Sequence, residues 1–178
     1  MNIANFLTLM RLLLVPVFAI FFVQGKYLEA IAVFVFCGIT DIVDGYIARK
    51  FNMITNFGKL MDPIADKVLQ ITALVLLTVV LKLNIIFVMV FGIKELAMFL
   101  GSAYLYKKKV VVFSNWYGKA ATVVLFAAVF ANILAEWQPQ YYQIDYAAHF
   151  LIWVALGATL TAFVAYIYEF VVLVKRKD

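Results

Sequence analysis

The chain has 178 residues, of which 67% are hydrophobic and 14% are charged, and its formal net charge at pH 7 is +5. Soluble globular domains are nearer to half apolar, so this composition excludes an ordinary soluble domain and predicts a protein that crosses a membrane several times. The single cysteine, Cys37, excludes an internal disulfide.

Six apolar segments are long enough to be membrane-spanning helices, each of which needs about 20 residues. In chain order they run from about Phe6 to Val23, Leu28 to Arg49, Gly58 to Val80, Ile85 to Tyr106, Tyr117 to Ala135 and Tyr146 to Val174. The loops between them are too short for a second domain. The prediction is an all-α bundle of six transmembrane helices in which residues 1–178 form one membrane domain.

Basic residues concentrate in alternate connections between these segments. One set of connections, with the C-terminal tail, carries Arg49, Lys50, Lys59, Lys107, Lys108, Lys109, Lys119, Lys175, Arg176 and Lys177, whereas the other set carries Lys26 and Lys82. Because cytoplasmic loops are enriched in Lys and Arg, both termini are predicted to be cytoplasmic, in the plasma membrane of the cell. The charge lies at loop ends, where it suits anionic lipid, and no soluble module is present to bind nucleic acid.

Four aspartates interrupt the second and third segments: Asp41, Asp44, Asp62 and Asp66. Carboxylates are costly in apolar surroundings, and hard cations such as Mg²⁺ prefer oxygen ligands. The spacings of three and four residues place each pair on one helix face. Since a short loop makes the two helices antiparallel neighbours, the faces can meet and hold one or two divalent cations near the cytoplasmic boundary.

Small residues and an arginine accompany these carboxylates. Gly45, Ala48 and Gly58 would let a flat or charged ligand approach the backbone, and Arg49 offers a fork of donors for phosphate. Together with a metal, this set suggests phosphoryl chemistry. The alternatives are a structural ion-pair cluster and the ion pathway of a transporter, but neither explains why Gly and Ala alternate with the acids at these spacings.

The pattern Asp-x₂-Asp-Gly-x₂-Ala-Arg-x₈-Gly-x₃-Asp-x₃-Asp, which runs from Asp41 to Asp66, resembles the signature of the CDP-alcohol phosphotransferase family. The resemblance implies that an acceptor hydroxyl attacks CDP-diacylglycerol and that CMP leaves, with two Mg²⁺ or Mn²⁺ ions bound. It also implies the residue roles. The metal ligands would be Asp41, Asp44, Asp62 and Asp66; Asp66 would also be the general base; and the CDP site would be Gly45, Ala48, Arg49 and Gly58.

The segments Asn2–Arg11 and Phe57–Lys67 further resemble the branch of this family that uses glycerol 3-phosphate as the acceptor. An acceptor phosphate needs cations, and the candidates are Arg11, Lys59, Lys67, Lys94, Lys107, Lys108, Lys109 and Lys119. Lys119 resembles a Gly-Lys position of that branch, and Thr8 is a further residue implied for substrate binding. One departure is Lys94-Glu95, where that branch has Arg-Glu followed by another Arg. Lysine lacks the bidentate fork of arginine, so phosphatidylglycerol, as in cardiolipin synthesis, and inositol phosphate stay open as acceptors. Gly157 and Ala158 suggest close helix packing, as in a homodimer contact.

Overall fold

The structure is a computed structural model that describes residues 3–50, 56–107 and 116–175. In these residues the chain forms six helices, which confirms the six predicted segments with every end within four residues of its predicted position. They are α1 (Ile3–Val23), α2 (Tyr27–Lys50), α3 (Asn56–Val79), α4 (Ile86–Lys107), α5 (Trp116–Trp137) and α6 (Tyr142–Lys175).

The all-helical class is therefore correct, and part of the membrane prediction is also supported. Among the described residues, the segments long and apolar enough to cross a bilayer are Phe6–Val23, Trp116–Trp137 and Tyr142–Val172. Large apolar side chains on these helices face outward, including Leu13, Phe150 and Val164. Outward apolar surface of this kind is typical of helices in contact with lipid.

A tight turn sets the first two helices against each other. Gly25, which lies between α1 and α2, has φ of 71°, a left-handed conformation that glycine adopts without steric cost. The backbone N–H of Lys26 donates to the carbonyl of Phe21, at 2.9 Å, and closes the end of α1. Helix α1 consequently packs along α2, and it also packs along α3.

Aromatic rings fill much of the interior between α1, α2 and α5. Phe18 and Phe34 are buried with ring centroids 5.6 Å apart, and Phe34 stacks on Phe126 of α5 at 4.2 Å. Helix α5 also packs extensively on α6. There the buried amide of Asn132 donates to the carbonyl of Ala148 at 3.2 Å, a polar link between two apolar helices.

Candidate active site

An ion pair joins α1 to the first predicted carboxylate. Nη1 of Arg11 lies 2.6 Å from Oδ1 of Asp41, and the Arg11 side chain is completely buried whereas that of Asp41 is 43% exposed. A buried guanidinium needs a nearby negative charge, and the α2 carboxylate supplies it. Thr8 is buried one turn earlier on α1, on the same side of the helix as Arg11.

Asp66 lies on α3 and is held by residues of its own helix. Nε2 of Gln70 donates to Oδ1 of Asp66 at 2.8 Å, and Oε1 of Gln70 accepts from Nζ of Lys67 at 3.4 Å. Nζ of Lys67 is 3.9 Å from Oδ2 of Asp66, beyond hydrogen-bond distance. The Asp66 side chain is 29% exposed. Its carboxylate is therefore oriented mainly by the Gln70 amide.

A second charged cluster links α3 to α4. Oε1 of Glu95 lies 3.0 Å from Nζ of Lys67 and 2.6 Å from Nζ of Lys94. Both ammonium groups also lie over the ring of Phe91, at 5.6 and 5.2 Å from its centroid. Lys94 is buried, and the carboxylate of Glu95 balances its charge. Lys67 also donates to Gln70, and Gln70 donates to Asp66, so hydrogen bonds connect this cluster to Asp66.

Asp41 and Asp66 open into the same cavity of about 450 Å³, which lies between α1, α2, α3 and α5. Arg11 and Gln70 also line it. The rest of the wall is mainly apolar and comprises Val35, Cys37, Gly38, Ile39, Ile42, Leu69, Thr122, Val123, Phe126, Ala127 and Phe130. On α2 this lining runs from Val35 to Ile42, which is about 10 Å along the helix axis. The cavity is therefore charged at one end and lined mainly by apolar side chains along the rest of its length.

The carboxylates that face this cavity suit a divalent cation in chemistry. Asp41 of α2 and Asp66 of α3 offer carboxylate oxygens, the type of ligand that Mg²⁺ prefers. Among the side chains that the structure describes, no group of three or more metal-ligating residues comes together. The side chains of the predicted ligands Asp44 and Asp62 lie outside the described part of the structure. Of the four predicted ligands, Asp41 and Asp66 are therefore the two whose side-chain positions are described.

The other predicted site residues divide into two groups. Gly45 is half-buried on α2, Lys94 is buried in the α3–α4 cluster, and Lys119 is exposed near the start of α5. The surroundings of Gly58 and the side chains of Ala48, Arg49 and Lys107 lie outside the described part of the structure. The predicted role of each of these residues stays a prediction.

Two contacts of the site were not anticipated from the sequence. The Gln70 amide is one: its spacing of four residues from Asp66 is a signal for a contact on one helix face, but Gln70 looks like one polar residue in an apolar run. The other is Arg11 against Asp41, which joins residues 30 positions apart and which no local pattern predicts.

Comparison with known proteins identifies the family of the chain. A family model described as CDP-alcohol phosphatidyltransferase matches residues 1–168. The chain belongs to the CDP-alcohol phosphatidyltransferase family. This family member is accordingly a transferase enzyme, and with its long apolar helices it is a membrane protein.

Similar proteins named CDP-diacylglycerol–glycerol-3-phosphate 3-phosphatidyltransferase occur in several bacteria. The protein from Aquifex aeolicus is 36% identical over 126 residues, which are 69% of this phosphatidyltransferase-family chain and 70% of that protein. The Pseudomonas fluorescens protein is 45% identical over 80 residues, 43% of this chain and 41% of that protein. The Rickettsia typhi protein is 46% identical over 71 residues, 38% of this chain and 40% of that protein.

Proposed function

We propose that this chain transfers the phosphatidyl group of CDP-diacylglycerol to glycerol 3-phosphate, giving phosphatidylglycerophosphate and CMP. The observation that carries the proposal is the similarity to relatives named for this reaction, of which the Aquifex aeolicus protein matches over more than two thirds of both chains. The cavity is consistent with such a lipid substrate, because carboxylates lie at one end and apolar side chains line the rest.

The reaction is a direct displacement at phosphorus. A hydroxyl oxygen of glycerol 3-phosphate forms a bond to the phosphorus that carries diacylglycerol, the bond from that phosphorus to the bridging oxygen breaks, and CMP leaves with that oxygen. Asp66 takes the hydroxyl proton as the general base. Asp41, Asp44, Asp62 and Asp66 would hold the metal, two Mg²⁺ or Mn²⁺ ions, which would offset negative charge on the phosphates.

Substrate binding follows from the remaining predicted residues. Gly45, Ala48, Arg49 and Gly58 form the CDP site, because small residues admit the nucleotide and arginine binds its phosphates. For the acceptor phosphate, Lys94 is supported by its position in the cluster that Lys67 connects to Asp66. The further acceptor residues proposed are Arg11, Lys107 and Lys119, and Thr8 is proposed to bind substrate.

The six helices are proposed to span the plasma membrane, with both termini and the active site facing the cytoplasm. The basic residues at alternate helix ends support this orientation. In that arrangement the fatty acyl chains remain in the bilayer while the cytidine stays in water. A homodimer through the α6 surface around Gly157 and Ala158 is proposed as the assembly, since small residues permit close helix contact.

The test is release of CMP by purified protein in detergent with CDP-diacylglycerol and Mg²⁺. Glycerol 3-phosphate, phosphatidylglycerol and myo-inositol 1-phosphate are compared as acceptors, and the lipid product is identified by mass spectrometry. Release that depends on glycerol 3-phosphate, with phosphatidylglycerophosphate as the product, is expected. Release only with another acceptor would contradict the proposed substrate while retaining the family chemistry, and a lack of release with any acceptor would contradict the proposed activity.

A further inference from the structure

Gln70 is a buried polar side chain in an apolar part of α3. It is 3% exposed, and its neighbours Leu69, Ala73 and Leu74 are buried apolar residues of the core. An amide at such a position costs free energy unless its donor and acceptor are both used. Packing alone would favour an apolar side chain of the same volume, so the contacts of the amide need a separate explanation.

Both ends of the Gln70 amide have charged partners. Nε2 donates to Oδ1 of Asp66 at 2.8 Å, and Oε1 accepts from Nζ of Lys67 at 3.4 Å. The reverse orientation of the amide would set its oxygen against the carboxylate and its NH₂ group against the ammonium group, and both contacts would be repulsive. The two charges therefore determine the direction of the amide, and the amide in turn determines the position of the carboxylate.

We propose that Gln70 is a positioning residue, which holds the Asp66 carboxylate in the orientation needed for metal binding and proton transfer. The inference rests on the proposed function, because it takes Asp66 as a metal ligand and general base. Gln70 does not take part in the chemistry itself. It supplies a neutral donor to Oδ1, which orients Asp66 without placing a positive charge against its carboxylate.

The alternative partner for Asp66 explains why this donor matters. Nζ of Lys67 lies only 3.9 Å from Oδ2 of Asp66 and is 3.0 Å from Glu95. Without the Gln70 amide, rotation of the Asp66 side chain would bring the carboxylate into a direct ion pair with Lys67. A carboxylate in that pair would be turned away from the geometry that Gln70 maintains, and it would be a weaker ligand and base.

The experiment replaces Gln70 with methionine, which is unbranched and of similar length but cannot donate to Asp66. Thr78→Val is the matched control, since it removes a hydrogen bond on the same helix, from Oγ1 of Thr78 to the carbonyl of Leu74. The readouts are kcat, KM for both substrates, Mn²⁺ affinity by electron paramagnetic resonance, and the melting temperature in detergent.

We expect Gln70→Met to lower kcat and the Mn²⁺ affinity by about 10- to 100-fold, as is usual when the partner of a metal ligand is lost. KM values and the melting temperature should stay close to those of Thr78→Val. Values of kcat and Mn²⁺ affinity equal to those of the control would overturn the proposal. A loss of kcat together with a lower melting temperature and an unchanged Mn²⁺ affinity would also overturn the proposal, because that result indicates a purely structural role.

A second variant covers failure of the first to fold. Gln70→Asn keeps a buried amide but is one methylene shorter, so it should lose the contact with Asp66 and show the same decrease, and unaltered kcat and Mn²⁺ affinity in it would count against positioning. If the unaltered protein shows no transfer to any acceptor, the proposed function fails, whereas the Mn²⁺ affinities of the variants still decide the role of Gln70. Absence of both turnover and Mn²⁺ binding would overturn both.

Discussion

Asp66 combines a predicted catalytic role with a contact that an amide can partly preserve. In Asp66→Asn the side-chain oxygen can still accept from Gln70, so the fold should persist. The amide, however, cannot act as a base and has no negative charge with which to bind a cation. We expect kcat to fall by about 10²- to 10⁴-fold with little change in melting temperature. CMP release and thermal melting in detergent measure the two effects.

The matched control for Asp66→Asn is Asp145→Asn. Asp145 lies in the first turn of α6, is 60% exposed and has His149 as its neighbour at 3.4 Å. Its replacement removes one carboxylate of the same type from a surface position, and turnover should not change. An Asp66→Asn protein that turns over like Asp145→Asn would show that Asp66 is not the base.

Arg11 and Asp41 differ in burial, so replacing one or the other is predicted to change stability by different amounts. Asp41→Asn leaves a completely buried guanidinium opposite a neutral amide, whereas Arg11→Met leaves a carboxylate that is 43% exposed to the cavity. We expect Asp41→Asn to lower the free energy of unfolding by about 2 kcal/mol and Arg11→Met by about 1 kcal/mol. SDS titration in mixed micelles with a chelator measures both, and the opposite order would contradict the burial argument.

At the scale of helices, Gly38 sets the approach of α5 to α2. A Cβ atom at Gly38 would meet the ring of Phe126, and this ring cannot move freely because it stacks on Phe34 with centroids 4.2 Å apart. Both Gly38 and Phe126 line the cavity. The contact therefore connects helix packing to the shape of the candidate active site.

Gly38→Ala should consequently raise KM for CDP-diacylglycerol and lower the melting temperature. The same change at Gly92 on α4 is the control, because a Cβ atom there has no neighbour within 4 Å. Alanine has the higher helix propensity at both positions, by about 1 kcal/mol, so Gly92→Ala should be neutral or stabilising. If the two variants behave alike in melting and in KM, the close contact with Phe126 has no consequence for the site.

At the scale of the whole molecule, thiol labelling tests the proposed orientation of the protein in the membrane. In a Cys37→Ala background, a cysteine at Lys26 or Gln140 marks one end of the bundle and a cysteine at Lys50 marks the other; all three positions are exposed. A membrane-impermeant maleimide should label the Lys26 and Gln140 positions in intact cells, and the Lys50 position only after permeabilisation. Labelling of all three in intact cells, or the reverse pattern, would contradict cytoplasmic termini.

The sequence by itself determined the helices and which carboxylates share a helix face. Helix length follows from apolar runs between polar turns, so all six segments were predicted closely. The spacing from Asp41 to Asp44 and from Asp62 to Asp66 follows from the 3.6-residue period of a helix. These properties are local, and the signature from Asp41 to Asp66 was also enough to indicate the family that the comparison confirmed.

Only the tertiary structure decided how the helices are rotated against one another. A helix that is apolar on nearly all sides gives little indication of which face points inward, because lipid and a protein interior are both apolar. Close packing at positions such as Gly38 resolves the rotation, and it brings Arg11 to Asp41 and Glu95 to Lys67 across helix boundaries. The same packing buries Gln70 beside Asp66, which turns an ordinary polar residue of the sequence into part of the candidate active site.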